Sequence, residues 1–159
     1  MKIILFGAVL TMSVVPAFAT PYRTPVPATF ESRGEDRQAI ATLLDTYTKA
    51  VSTRNQALFE TLLLDKGIPF TGVPLSRKGQ DLPVNTSHYE EFRKGVFEGE
   101  PFTQTFRDIH VKQDGPLAQV SLVFENTTAT EKSWGWKTME LIKLDGRWKI
   151  AAEFFTGYT

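Results

Sequence analysis

The chain of 159 residues contains no cysteine. Disulfides, thiolate metal sites and a cysteine nucleophile are therefore excluded, as is the lipid-bearing cysteine of a bacterial lipoprotein. An excess of one charge is also missing, since 18 basic residues balance 18 acidic ones. No Lys/Arg stripe interrupts that balance, so nucleic acid and anionic membrane are not the expected partners. Histidine is scarce: His88 and His110 are the only two. They lie far apart, and no Asp or Glu near either has chelating spacing, so no metal is expected. No cofactor is implied. There is no G-x-S-x-G elbow, P-loop or Rossmann fingerprint, and so no support for serine-hydrolase or nucleotide functions.

Hydrophobic residues make up 42% of the chain and aromatic residues 12%, enough for one core in one domain. Residues 1–19 read as a secretory signal peptide. Lys2 supplies the positive start, Ile3 to Val15 is apolar, and Ala17-Phe18-Ala19 is a small-x-small cleavage site. The apolar run is too short, and too broken by Pro16, to span a membrane. Cleavage is expected about after Ala19, leaving a secreted or periplasmic protein with no membrane attachment. Residues 20–34 hold three prolines between Thr20 and Thr29 and read as an extended or disordered arm. Residues 35–159 form the expected domain.

Helical spacing of Ile40, Leu43, Leu44, Tyr47 and Val51 predicts a first helix over Glu35 to Ser52, opened by a Ser32-x-x-Glu35 capping box. Asn55 caps a short second helix burying Leu58, Phe59, Leu62 and Leu63. Ile68 to Val73 reads as a short strand, and Leu75 to Asn85 as a polar loop. Ser87-x-x-Glu90 opens a third helix through about Phe97, with Tyr89, Phe92, Val96 and Phe97 apolar. Phe102 to Gln113 and Leu117 to Thr127 are strands. Asn85-Thr86-Ser87 and Asn126-Thr127-Thr128 match glycosylation acceptors, which matter only in a eukaryotic host.

The last 26 residues carry the most information. Asp145-Gly146 is a pair suited to a type I′ hairpin turn, in which both central residues need φ > 0. With those two as the loop, Leu144 pairs with Arg147. Unbroken alternation then sets Glu140 opposite Ala151, Thr138 opposite Glu153 and Trp136 opposite Phe155. One face carries Trp136, Thr138, Glu140, Glu153 and Phe155 and reads as the side of a semi-polar cavity. The other carries Met139, Leu141, Trp148, Ile150 and Phe154 and reads as an apolar contact surface. Glu140 and Glu153, two carboxylates on one face, suit acid–base work or recognition of a polar ligand; the alternative is a solvated face with Glu153 paired to Lys149. Tyr47 is either a core tyrosine or a donor into a cavity between helix and sheet. Phe59, Phe92 and His88 are further candidate ligand contacts.

Helices followed by strands imply an α+β fold: N-terminal helices packed on a strongly curved antiparallel or mixed sheet. With YTKAVSTRNQALFETLL for the first helices and MELIKLDGRWKI for the last hairpin, the chain resembles the nuclear-transport-factor-2-like superfamily of cystatin-like cones. The resemblance runs from Asp36 to Thr156 and includes the SnoaL-like polyketide-cyclase and ketosteroid-isomerase branches. It implies a role for Tyr47 and Glu140 as the isomerases' oxyanion-binding tyrosine and protonated acid. The isomerases' general base falls at about Thr71, which cannot act as a base. The resemblance also implies a homodimer formed through the sheet. Three readings follow: a binder of a small hydrophobic or carbonyl-bearing ligand; an isomerase, cyclase or dehydratase using Glu140 or Glu153 with Tyr47; or a structural module.

Overall fold

The computed structural model describes residues 30–75 and 87–158. The signal peptide, most of the proline-rich arm, the Leu75 to Asn85 loop beyond Leu75 and the first glycosylation acceptor lie outside them. Helix α1 spans Gly34–Ser52 and α2 Gln56–Glu60; strand β1, Phe70–Leu75, follows. Helix α3, Tyr89–Arg93, runs into a π-helical turn, Lys94–Glu98. Strands β2 Thr103–Asp114, β3 Leu117–Thr127, β4 Lys132–Leu144 and β5 Arg147–Tyr158 complete the chain. The five strands form one mixed sheet in the order β1-β5-β4-β3-β2. β1 runs parallel to β5, and every other pair is antiparallel. This is the expected α+β architecture.

Helix α1 buries Ile40, Leu43, Leu44, Tyr47, Ala50 and Val51, the predicted stripe plus Ala50. It touches both β2, at one edge, and β5, near the other, so the sheet curls around it. The inner sheet face supplies Ala118, Val120, Leu122 and Phe124 from β3 and Met139 and Leu141 from β4, all buried. Burying each of the larger side chains contributes about 1.5–3 kcal/mol. Phe59 is the hub of an aromatic cluster, 4.8 Å from the ring of Tyr47 and 5.5 Å from that of Phe92.

Three local expectations change. The N-cap of α1 is Arg33, with no side-chain cap; Ser32 instead donates from Oγ to Gln113 Oε1 at 2.7 Å. Asp36, in the first turn, takes over the anchoring. It accepts from Lys143 Nζ at 2.7 Å, Gln113 Nε2 at 2.8 Å and Trp148 Nε1 at 3.1 Å, tying the helix to β2, β4 and β5. At α3 the N-cap is His88 rather than Ser87; its N–H donates to Glu91 Oε2 at 3.0 Å, and Ser87 Oγ is drawn to the Phe70 carbonyl. The end of the arm is not free: Gln113 N–H donates to Phe30 O at 2.5 Å, and Glu31 bridges to Lys112.

The hairpin turn forms as expected. Asp145 and Gly146 have φ of 49° and 75°, and Leu144 pairs with Arg147. The register beyond it does not hold. Leu141 pairs with Ile150, but Glu140 pairs with Ala152, and Met139 rather than Thr138 faces Glu153. Ala151 is therefore a one-residue β-bulge, which shifts the alternation of everything after it. The shift has a neighbour change beside it. Ile150 bonds to the Leu62–Leu64 segment, whereas Glu153 N–H donates to Pro69 O and Glu153 pairs with Phe70.

Candidate functional site

The bulge decides what the cone contains. Before it, Trp148 and Ile150 face inward; after it, Glu153 and Phe155 do. On β4 the inward set is Gly135, Lys137, Met139 and Leu141, all buried. Met139, Leu141, Trp148 and Ile150 are thus core, not a contact surface between molecules. Trp136 and Glu140 take the outer face. Trp136 is 54% exposed, and Glu140 accepts from Gln119 Nε2 at 2.9 Å. Neither meets Tyr47, so Glu140 is not the acid beside the tyrosine.

That place belongs to Glu153 and to a residue the sequence reading passed over, Lys137. Tyr47 Oη donates to the Glu153 carboxylate, 2.9 Å from Oε2 and 3.0 Å from Oε1. Lys137 Nζ lies 2.7 Å from Tyr47 Oη and 2.7 Å from Glu153 Oε1. Glu153 and Tyr47 are wholly inaccessible and Lys137 is 2% exposed. Four phenylalanine rings surround the ammonium: Phe124 at 5.2 Å, Phe155 at 5.5 Å, Phe106 at 5.6 Å and Phe92 at 6.0 Å. Burial holds Lys137 below the ordinary lysine range, with Glu153 pulling the other way. Burial also pushes the Tyr47 phenol well above its usual range, and the Glu153 charge adds to that. The phenol therefore stays a donor.

Lys137 forms part of the wall of a cavity of about 810 Å³. Tyr47 and Glu153 stand behind it and do not line the space. Phe92, Phe102, Phe124 and Phe155 give apolar walls. Gly135 makes room for this arrangement. A Cβ there would meet the Thr156 carbonyl oxygen at 1.8 Å and the Phe124 ring at 2.7 Å. Gln104 and Asn126 form a second polar position in the wall. Gln104 is 7% exposed; its Nε2 donates to Asn126 Oδ1 at 2.7 Å, but its Oε1 has no partner. Gln104 pairs with Asn126, and Asn126 with Ser133, four residues along β4 from Lys137. The two polar positions are therefore about 13 Å apart along the strands. The rings of Trp134 and Tyr158, both in the cavity wall, lie tilted to each other with centroids 4.2 Å apart.

Of the other sequence candidates, Phe155 and Phe92 line this cavity. Phe59 is buried in the core behind it, and His88 is an exposed helix cap; neither lines it. Thr71 is buried on β1, while its neighbours Gly72, Val73 and Pro74 reach the cavity wall. One signal pointed to Lys137 in advance. It shares parity with Met139 and Leu141, so an inward β4 needs a buried carboxylate to pair with it, and only a shifted β5 supplies one. Among the described residues no group of three or more His, Cys, Asp or Glu is placed to hold a metal ion.

No protein-family model and no curated protein matches the chain. Solved structures do. An NTF2-like protein from Cytophaga hutchinsonii superposes with a TM-score of 0.60 at 16% identity, covering 77% of this chain and 98% of that one. A protein of unknown function with a cystatin-like fold from Nostoc punctiforme gives 0.59 at 10% identity, covering 80% and 94%. A protein from Novosphingobium aromaticivorans, provisionally named a scytalone dehydratase, gives 0.59 at 14% identity, covering 77% and 84%. The chain has the NTF2-like, cystatin-like cone fold.

Proposed function

We propose that this cone is an exported carrier or receptor for a small, mostly apolar molecule bearing a carbonyl or phenolate oxygen. One observation carries the reading: four phenylalanines line the cavity, and one buried cation, Lys137, stands in its wall. A ligand oxygen at Lys137 Nζ gains a charge-assisted hydrogen bond in a low-dielectric setting. A ligand N–H or O–H some 13 Å along the strands would satisfy Gln104 Oε1. Export rests on the leader pattern of residues 1–19. A second copy covering the outer-face residues Trp136 and Phe154 is the quaternary arrangement to test by light scattering.

The test is native mass spectrometry for a co-purified small molecule, followed by titration with 2-naphthol and an aryl methyl ketone. Lys137→Met is expected to weaken both by about tenfold or more, the worth of one charge-assisted bond. Val96→Trp, which fills the cavity, is expected to abolish binding with the fold kept. Unchanged binding in Val96→Trp overturns the reading.

An enzyme of the isomerase, cyclase or dehydratase type is the second reading. The buried Tyr47–Lys137–Glu153 cluster favours it, because it holds exchangeable protons beside the cavity. In that case Lys137 touches the substrate and Glu153 and Tyr47 act through it. Turnover of a hydroxylated aryl ketone, lost in Lys137→Met, distinguishes the two.

A further inference from the structure

We infer that Lys137 captures aldehydes or ketones covalently, as a Schiff base formed at the inner wall of the cavity. The inference rests on the ligand-binding reading of the same cavity and names the bond that the site makes.

Three features of the geometry support it. Lys137 is the only member of the buried cluster that lines the cavity, so it is the member a bound carbonyl compound would reach. Nζ has a carboxylate oxygen and a phenol oxygen each at 2.7 Å, so a proton can leave it and return without crossing solvent. The faces of the four phenylalanine rings around it attract the cation, but Nζ is enclosed by protein, and the loss of hydration works against its ammonium form, which activates a lysine amine as a nucleophile. Consistent with this, burial holds the amine below the ordinary lysine range. The Glu153 contact works the other way in the resting state.

The step balances. The Lys137 ammonium gives a proton to the Glu153 carboxylate. The freed nitrogen lone pair forms the C–N bond, and the carbonyl π pair moves to oxygen, which takes up that proton. The nitrogen of the adduct, now cationic, gives a second proton to the Glu153 carboxylate, leaving a neutral carbinolamine. The carbinolamine then loses its hydroxyl group. Its nitrogen lone pair forms the C=N bond, the C–O bond breaks, and the oxygen leaves as water with the second proton, relayed from Glu153 through Tyr47. Aldehyde plus ammonium become iminium plus water, with no oxidant or reductant consumed. The iminium inherits the ammonium's charge and its partner, Glu153. Tyr47 and Glu153 are positioning residues here; Lys137 is the catalytic one.

The experiment uses purified full chain with 2-naphthaldehyde and sodium cyanoborohydride at neutral pH, read by intact mass and peptide mapping. One adduct per chain is expected, at Lys137, with occupancy well above that of any other lysine. Lys137→Arg is expected to lose that adduct and keep the surface background. Adducts spread evenly over the lysines overturn the inference from the wild-type map alone, whether or not the variant folds. The alcohol analogue, 2-naphthalenemethanol, separates the two readings. If it binds and no Lys137 adduct forms, covalent capture is wrong and the cavity reading stands. If neither binds, both are wrong.

Discussion

Lys137 Nζ and Glu153 Oε1 are 2.7 Å apart, with side-chain exposures of 3% and 0%. A pair so enclosed gains its attraction only after both groups have been stripped of water, a cost of several kcal/mol per ion. The fold tolerates it because each group has the other and both have Tyr47.

Breaking the pair from one side should therefore be costly, and removing it whole should not. Lys137→Met and Glu153→Met alone are each expected to lose about 3–5 kcal/mol, because each leaves an unmatched polar group in the core. The double variant should lie well above the sum of the two losses, within about 1–2 kcal/mol of the parent. Urea unfolding of all four proteins measures the coupling; simple additivity would show that the two groups do not depend on each other.

Asp36 predicts a pH effect. Its hydrogen bond from Lys143, then that from Gln113, hold its carboxyl below the usual carboxylate range. The folded chain thus binds fewer protons than the unfolded one between those two pKa values, so this stabilisation is complete above the ordinary range and fades as acid protonates the folded group. Asp36→Ala is expected to melt lower than the parent at neutral pH, with the gap closing as pH falls below about 4. Melting temperatures across that range check it. A gap that stays constant would mean the anchor does not depend on charge.

Gly135→Ala is expected to destabilise by about 1–3 kcal/mol through overpacking. Its Cβ would collide with a backbone carbonyl, that of Thr156, as well as with the Phe124 ring. Adding Phe124→Leu relieves the second clash but not the first, so it should not restore the melting temperature. Recovery in the double variant would show that the ring alone sets the limit.

Much of this was legible in advance. The stripe on α1, the Asn55 cap, the span of β3 and the Asp145-Gly146 turn follow from spacing and turn chemistry, and all four are present. The contents of the cavity were not, and one residue explains why. Ala151 is small and unremarkable, and nothing local requires a bulge there, yet it reverses which side of the hairpin's second strand faces the helices. The sheet faces were assigned by unbroken alternation from the turn, so a mostly apolar face with Lys137 and Lys143 toward its ends was taken for a contact surface. The paired neighbours of β5, which fix the bulge, come from residues 62–69, distant in sequence, and no periodicity within the hairpin reports them.

The partners of Tyr47 lie 90 and 106 residues further along the chain. Until α1 settles onto the C-terminal hairpin, Lys137 and Glu153 remain hydrated and have no reason to leave water. Docking of that helix is then the moment at which solvent is expelled from the charges, and a contact this non-local is slow to form. Substitutions at these three positions should accordingly hasten unfolding and leave the refolding rate nearly untouched. Stopped-flow kinetics showing slowed refolding instead would place the drying of the pair before the rate-limiting barrier.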